Sequence, residues 1–262
     1  MFSRNKKIET KIDVLLDEPL TSESYTKVVI ELLKYVLYQK QQIPFAYEAL
    51  VQFQTSIRTT DRNAVAIKTL TNTLKSVSDN LFSQFFLEDC DVREVAILVG
   101  ATVSSPKLCI RIELPSYILN SKQHKECQHS SRKPLIKLMR SMLECDEFQE
   151  AMSIPSSVTN TFIMLKKRDN NPVSDFFIPK PQYILPTQST SCFNIRLCQN
   201  DQVDTQCTCR TLVKVYHDSC KIHAAEDNHE DNMQYIQRDT STQCSYRWYQ
   251  SKQIIKGFKY HS

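Results

Sequence analysis

Only two glycines, Gly100 and Gly257, occur in this chain of 262 residues. That scarcity constrains the chain more than any other feature. Phosphate-binding loops bring several backbone N–H groups close to an anion, and they use glycine to do so. The P-loop and the dinucleotide-binding fingerprint both fail on this count. No other catalytic motif stands out along the chain, so the search turns to surfaces.

The length fits one large domain or two small ones and can bury a sizeable core. A 41% apolar fraction with 12 Phe argues for a folded protein. The net charge of +4 is small, and the basic residues are scattered. The short basic runs Arg132–Lys133 and Lys166–Arg168 read as solvated faces or turn flanks, so no nucleic-acid partner is expected. The N-terminus has a basic start without an apolar h-region, and no stretch approaches a membrane span. The expectation is a soluble, intracellular chain without a membrane partner, whose ten cysteines are reduced thiols.

Residues 1–20 read as an arm or an edge strand, with Ile12, Val14 and Leu16 in alternation. Thr21-Ser22-Glu23 opens a helix by a hydroxyl cap and an early acid. That helix runs to about Gln42 and stops before Pro44, with Val29, Leu32, Leu33, Val36 and Leu37 as its buried stripe. Tyr47–Phe53 is a short helix or strand. A second helix spans Asp61–Leu87, capped by Asp61, with an apolar face from Val65 through Ile67, Leu70, Leu74, Val77, Leu81, Phe82 and Phe85. Glu94–Gly100 is a continuous apolar run suited to a central strand. Leu108–Leu114 alternates as its hairpin partner across a Ser104-Ser105-Pro106 turn. After a polar loop, 115–131, a third helix is predicted over Lys133–Met152 with Leu135, Leu138, Met139, Met142 and Leu143 on its face. Strands follow at Val158–Lys166, Ser191–Leu197, Thr211–Tyr216 and within Ser245–Tyr260. Helices segregated from a mostly antiparallel sheet give an α+β domain over 21–262.

Chemistry-bearing clusters are weak. Cys192, Cys198, Cys207, Cys209 and Cys220 lie near His217 and His223, but Cys207-x-Cys209 is too tight for the usual zinc pairing. No local signature marks a Cys–His hydrolase. The paired acids Asp17-Glu18, Glu88-Asp89 and Glu226-Asp227 sit beside turns and read as solvated caps. No catalytic residue, metal or cofactor is assigned.

The end of the first helix is different. Tyr38, Gln39, Gln41 and Gln42 stand where a plain core helix needs none of them. Gln39 in a core would have a whole amide to satisfy, so it faces solvent or a partner. Exposed Tyr and Met on adjacent helices make an adaptable interface. The candidate surface is Tyr35, Gln39, Leu138, Met139 and Met142, although Leu138 and Met142 also fit simple core packing.

Several blocks carry a family resemblance, in order along the chain. They are Glu31–Phe53, the Val95–Leu114 hairpin with its SSPK turn, Asp146-Glu147-Phe148, and Phe176–Lys180 with Tyr183 and Pro186. Trp248-Tyr249-Gln250 and Lys256-Gly257-Phe258 complete the set. Together they resemble the comet family, adaptors of the mitotic-arrest-deficient (Mad) HORMA-domain checkpoint protein. The resemblance implies a HORMA-like fold: three helices on a sheet, with a C-terminal seat-belt over about 170–262. It implies a non-enzymatic adaptor, monomeric before binding, that recognises the closed Mad conformer. Gln39 matches the family's first-helix glutamine, and Met139 stands where the family carries an aromatic. The closed protein would pass to a hexameric AAA+ ATPase, with Pro179 and Lys180 matching the hand-off pair. The outcome would be disassembly of the mitotic checkpoint complex and checkpoint silencing. The setting would be nucleus and cytoplasm, with spindle or kinetochore in mitosis. Trp248, Tyr249, Gly257 and Phe258 would clasp the chain's own tail, and Gly257 would serve an unusual backbone angle or a close approach. The alternative is a HORMA-type module that clasps a different partner's peptide.

Overall fold

The computed structural model describes residues 9–56, 61–87, 90–114, 129–169, 174–186, 191–199 and 246–260. Its elements are β1 (Thr10–Leu16), α1 (Ser22–Gln39), α2 (Tyr47–Ser56), α3 (Arg62–Phe86), β2 (Cys90–Gly100), β3 (Pro106–Glu113), α4 (Arg132–Leu143), α5 (Asp146–Ser153), β4 (Asn160–Asp169), β5 (Phe177–Lys180), β6 (Ser191–Gln199), β7 (Arg247–Ser251) and β8 (Ile255–Lys256). The strands form one sheet in the order β1-β6-β3-β2-β4-β7-β5, and β8 pairs with the end of β4. Pairings of β6 with β1 and β3 are parallel. The β2–β3, β2–β4, β4–β7, β4–β8 and β5–β7 pairings are antiparallel.

The apolar run in β2 is buried on both faces, which is why it does not alternate. Val95, Ile97 and Val99 join the core beneath the helices. Ala96 and Leu98 join Cys109, Phe162, Met164, Cys192 and Trp248 on the other face. β1 takes the sheet edge, and its inward residues Ile12, Val14 and Leu16 are buried. Thr21 caps α1 by accepting a hydrogen bond from the Ser24 amide at 3.1 Å, and Asp61 caps α3 through the Asn63 amide at 2.8 Å. Gly100 ends β2 at a register shift opposite Pro106. A Cβ there would stand 2.7 Å from the Pro106 Cα.

Three expectations are corrected. Helices number five among the described residues, not three. Tyr47–Ser56 takes the helical of the two forms expected there and so adds to the count, and the predicted third helix is broken in two at Glu144-Cys145. On one continuous helix Phe148 would stand about 120° around the axis from Met142. The extended Cys145 lets both turn inward, to 0% and 1% exposure. Gln149 Nε2 then donates to the Met142 carbonyl, one of the acceptors that the break leaves open. Val65 and Leu143 do not belong to the buried stripes, being 56% and 57% exposed. Thr211–Tyr216, the 224–231 acidic loop, Cys207, Cys209, Cys220, His217 and His223 lie outside the described residues. Among the described residues no helix is long and apolar enough to cross a membrane.

The second sheet face also carries a buried ion cluster. Glu94 is 2% exposed and accepts hydrogen bonds from Lys166 Nζ at 2.7 Å and Arg111 Nη2 at 2.6 Å. Arg111 Nη1 also reaches Glu9 at 2.7 Å. Burial alone would raise the Glu94 carboxyl. The Lys166 hydrogen bond and the Arg111 charge outweigh it and hold the group below its ordinary 4.5. A carboxyl lower in the folded than in the unfolded chain stabilises fully above pH 4.5 and loses that stabilisation as pH falls through its folded value. Glu94→Gln is therefore expected to cost about 3 kcal/mol in urea unfolding at pH 7. It should also flatten the acid limb of the stability–pH curve below the ordinary carboxylate range. An unchanged acid limb would assign that limb to other carboxylates.

Candidate functional site

The apolar stripe of α1 is core: Val28, Val29, Leu32, Leu33, Val36 and Leu37 are all buried. The last turn of the same helix presents its other side to solvent. Tyr35 is half-buried, its ring near-parallel to Phe148 at 6.4 Å, and Phe148 in turn meets Phe193 edge-on at 5.1 Å. Tyr38 is 46% exposed. Tyr35, Tyr38, Tyr47, Leu135 and Met139 line a groove of about 260 Å³ between α1, α2 and α4. Lys34 sits over the Tyr47 ring at 4.3 Å and pairs with Glu31 at 2.8 Å and Glu48 at 3.4 Å. Burial opposes the Lys34 charge, but the two carboxylates prevail and raise its pKa. The groove therefore has an apolar aromatic floor and a neutralised charged wall.

The structure brings Tyr35 and Met139 to one groove. Gln39, half-buried, lines a second groove of about 510 Å³, and Tyr38 lines both. Leu138 and Met142 turn inward at 0% and 1% exposure, so they support the face from below and do not form it. Helix α4 is set by packing against α1 and β1, and by ion pairs from Lys133 to Glu18 and from Lys137 to Asp17. On its outer side Ile136 and Leu143 are 47% and 57% exposed, flanking the half-buried Met139. The sequence reading missed Ile136 and Tyr47. The i, i+3, i+7 spacing of Ile136, Met139 and Leu143 was the available signal.

The end of α1 explains the three glutamines differently from the sequence reading. Gln41 has φ 53°, and among the described residues no other non-glycine has positive φ. The Gln41 amide donates to the Tyr38 carbonyl at 2.9 Å and the Gln42 amide to the Leu37 carbonyl at 2.8 Å. This is the paired bond pattern of a left-handed helix C-cap, with glutamine where glycine is usual. Gln42 does not face solvent. It is 0% exposed, and its amide joins Lys40 and residues 156–159.

The remaining predicted residues lie on the sheet. Pro179 and Lys180 are in β5, an edge strand, in register with Tyr249 and Lys180's partner Trp248. Pro179 is exposed and Lys180 half-buried, as suits an edge that tolerates proline. Trp248 is 8% exposed in the second-face cluster and meets Tyr183 edge-on at 6.3 Å. Tyr249 and Phe258 pack against the core under the helices. Gly257 has no positive φ, so close approach is the reason for it. Among the described residues no group of three or more His, Cys, Asp or Glu can hold a metal. Cys109 is fully buried, and its neighbour Cys192 together with burial pushes its thiol up, which opposes nucleophilic use. A larger groove of about 810 Å³ between α1, α2 and α3 is lined by mixed charges, Lys27 and Lys75 with Glu23 and Asp79 among them.

Two comparisons with known proteins find relatives of this chain. A family model described as "p31comet: Mad1 and Cdc20-bound-Mad2 binding" matches residues 5–208, most of the chain and all elements through β6. The human MAD2L1-binding protein is 26% identical over 190 residues, covering 68% of this chain and 66% of its own length. The mouse MAD2L1-binding protein is 28% identical over 195 residues with the same shares. The match thus spans just under two thirds of the length of these relatives.

The strained cap gives a direct test. Gln41→Gly removes the left-handed penalty and is expected to stabilise the chain by about 1 kcal/mol. In a thermal melt that is a rise of about 2–4 °C. A fall would mean that the Gln41 side chain holds the turn by contacts of its own.

Proposed function

This chain belongs to the p31comet family, and from that premise we propose that it is a non-enzymatic adaptor that binds the closed conformer of a Mad HORMA protein. The observation that carries the reading is the family match over residues 5–208, described by binding to Mad1 and Cdc20-bound Mad2. A Mad2 that already holds Cdc20 is one conformational state of that protein. A surface that selects it recognises shape, not a reacting group.

The α1–α4 face supports this. Tyr35, Tyr38 and Met139 offer aromatic and thioether surface on two rigid helices, with Gln39 at the margin as a hydrogen-bonding group. Tyrosine and methionine are enriched in such interfaces because they give large contact area and adapt to a partner. Leu138 and Met142 fix the helix that presents Met139.

The reading extends to a hand-off. The HORMA-like architecture with its C-terminal seat-belt would place Pro179 and Lys180, on edge strand β5, where a hexameric AAA+ ATPase engages the complex. The ATPase would convert the Mad protein to its open form, disassemble the mitotic checkpoint complex and silence the checkpoint. The chain would act as a monomer before binding, in nucleus and cytoplasm and at the mitotic spindle or kinetochore. The alternative, a module clasping a foreign peptide, has a cost in this fold. β7 pairs with β4 on one side and β5 on the other, so an added strand would first have to displace it.

Purified chain is expected to capture Mad2 locked in the closed form and to leave the locked open form in solution. Equal capture of both, or of neither, would sink the reading. The double variant Gln39→Ala, Met139→Ala is expected to weaken closed-form binding by about 2 kcal/mol or more in titration calorimetry. Changing Pro179 and Lys180 to Ser and Ala should leave that affinity unchanged while slowing ATPase-driven conversion of closed Mad2. A loss of Mad2 affinity in this second variant would move β5 into the first interface.

A further inference from the structure

The last turn of α1, which carries Tyr38 and Gln39, does not stand alone. Gln42 Nε2 donates to the Lys40 carbonyl at 2.9 Å and to Ser156 Oγ at 3.0 Å. Gln42 Oε1 accepts the Thr159 amide at 2.8 Å. The Gln42 backbone carbonyl accepts the Phe258 amide at 2.9 Å, and the Gly257 amide donates to Thr159 at 3.0 Å. Lys40 adds Nζ bonds to the carbonyls of Ala151, at 2.8 Å, and Ile154. Gln42 thus joins three segments that are remote in sequence: its buried carboxamide ties the α1 turn to the α5–β4 connection, and its backbone carbonyl holds the C-terminal strand region.

Gly257 is part of the same joint. A Cβ at this position would stand 2.9 Å from the Gln42 carbonyl oxygen and 2.9 Å from Gln42 Oε1. Both atoms are acceptors in the joint, and the carbonyl belongs to backbone that the left-handed Gln41 already strains. Neither can retreat without releasing Phe258 or Thr159. The residues that follow close the groove beside Gln39, whose walls include Tyr38, Gln39, Phe258 and Tyr260. Tyr260 also meets Phe45 edge-on at 5.7 Å.

We propose that Gln42 is a positioning residue that couples docking of the C-terminal segment to the Mad-binding turn, so that each stabilises the other. This rests on the α1–α4 reading of the site. A non-glycine residue held at positive φ persists only where its surroundings over-determine it. Here the surroundings are the Gln42 joint, and the strained residue is next to the recognition turn. Release of the C-terminal segment removes the Phe258 bond and one wall of the groove, and the turn loses its fixed position. Coupling free energies are reciprocal, so partner binding must tighten the joint by the same factor.

The reciprocity gives a readout that a merely structural glutamine would not move. Hydrogen exchange is followed at the Gly257 and Thr159 amides of the unmodified chain, free and saturated with closed Mad2. Neither residue lines either groove, and because the neighbours of Thr159 also stay clear of both, its amide separates tightening of the joint from shielding by the partner. Exchange at both amides is expected to slow about tenfold on saturation, within the usual 5–150-fold range of such couplings. Gly257→Ala is expected to lose about tenfold in Mad2 affinity while circular dichroism retains the α/β signal. Unchanged exchange on Mad2 saturation overturns the coupling. So does a Gly257→Ala chain that binds as wild type although its Thr159 amide exchanges faster. The outcomes separate from the site reading. If Gln39→Ala, Met139→Ala also binds as wild type, the site assignment fails. If that double variant is weakened while Gly257→Ala is not, the site stands and only the coupling fails.

Discussion

The architecture depends on one buried carboxamide. Gln42 leaves helix α1 through a strained turn and places its amide at 0% exposure among backbone groups. An amide without partners at that depth would cost several kcal/mol, so its bonds must all be made together. Making them fixes where α1 ends and where the chain enters β4, and the Gln42 backbone carbonyl, through the Phe258 amide, fixes where the C-terminal segment lies. Residues 257–258 thereby meet the end of α1 through Gln42.

The geometry of the candidate surface follows from that joint. A helix that stopped at Gln39 without a rigid turn would leave Tyr38 and Gln39 to fray. Here Tyr38 stands in one groove with Tyr35 and Met139, Gln39 lines the second groove beside it, and the buried Phe148 supports Tyr35 from within. The inward residues Leu138 and Met142 and the outward residue Met139 belong to one helix with two jobs. The sheet beneath contributes rigidity: the helices pack on one face, and on the other its side chains Trp248, Phe162 and Met164 form a cluster against which Tyr183 and Leu185 pack. The Glu94 cluster on that second face holds β2, β3 and β4 together, and none of its residues lines either groove of the candidate site.

Much of this was legible in the residues. The Thr21 and Asp61 caps, the doubly buried run of β2, the β2–β3 hairpin and the edge position of Ile12, Val14 and Leu16 all follow local rules that tertiary packing reinforces. What was not legible has a common cause. Whether Cys145 interrupts a helix depends on Phe148 needing the core, which the 3.6-residue period alone does not reveal. Val65 and Leu143 fit apolar stripes yet point outward, because a stripe is only as wide as what covers it. Gln42 was the largest miss. A glutamine beside two others reads as surface, and only the distant Ser156, Thr159 and Phe258 make its burial affordable. Gly257 reads as serving an unusual backbone angle or a close approach, and only the neighbouring Gln42 acceptors decide for the second.

The central claim is that the α1–α4 face, and not the sheet edge, meets the closed Mad protein. It is tested most directly by placing a photo-crosslinking residue at single sites and irradiating the complex with Cdc20-bound Mad2. Position 38 or 139 should form a covalent adduct with Mad2, while position 184, exposed at 86% beyond β5, should form none. Adducts at 184 with none at 38 or 139 would contradict the account.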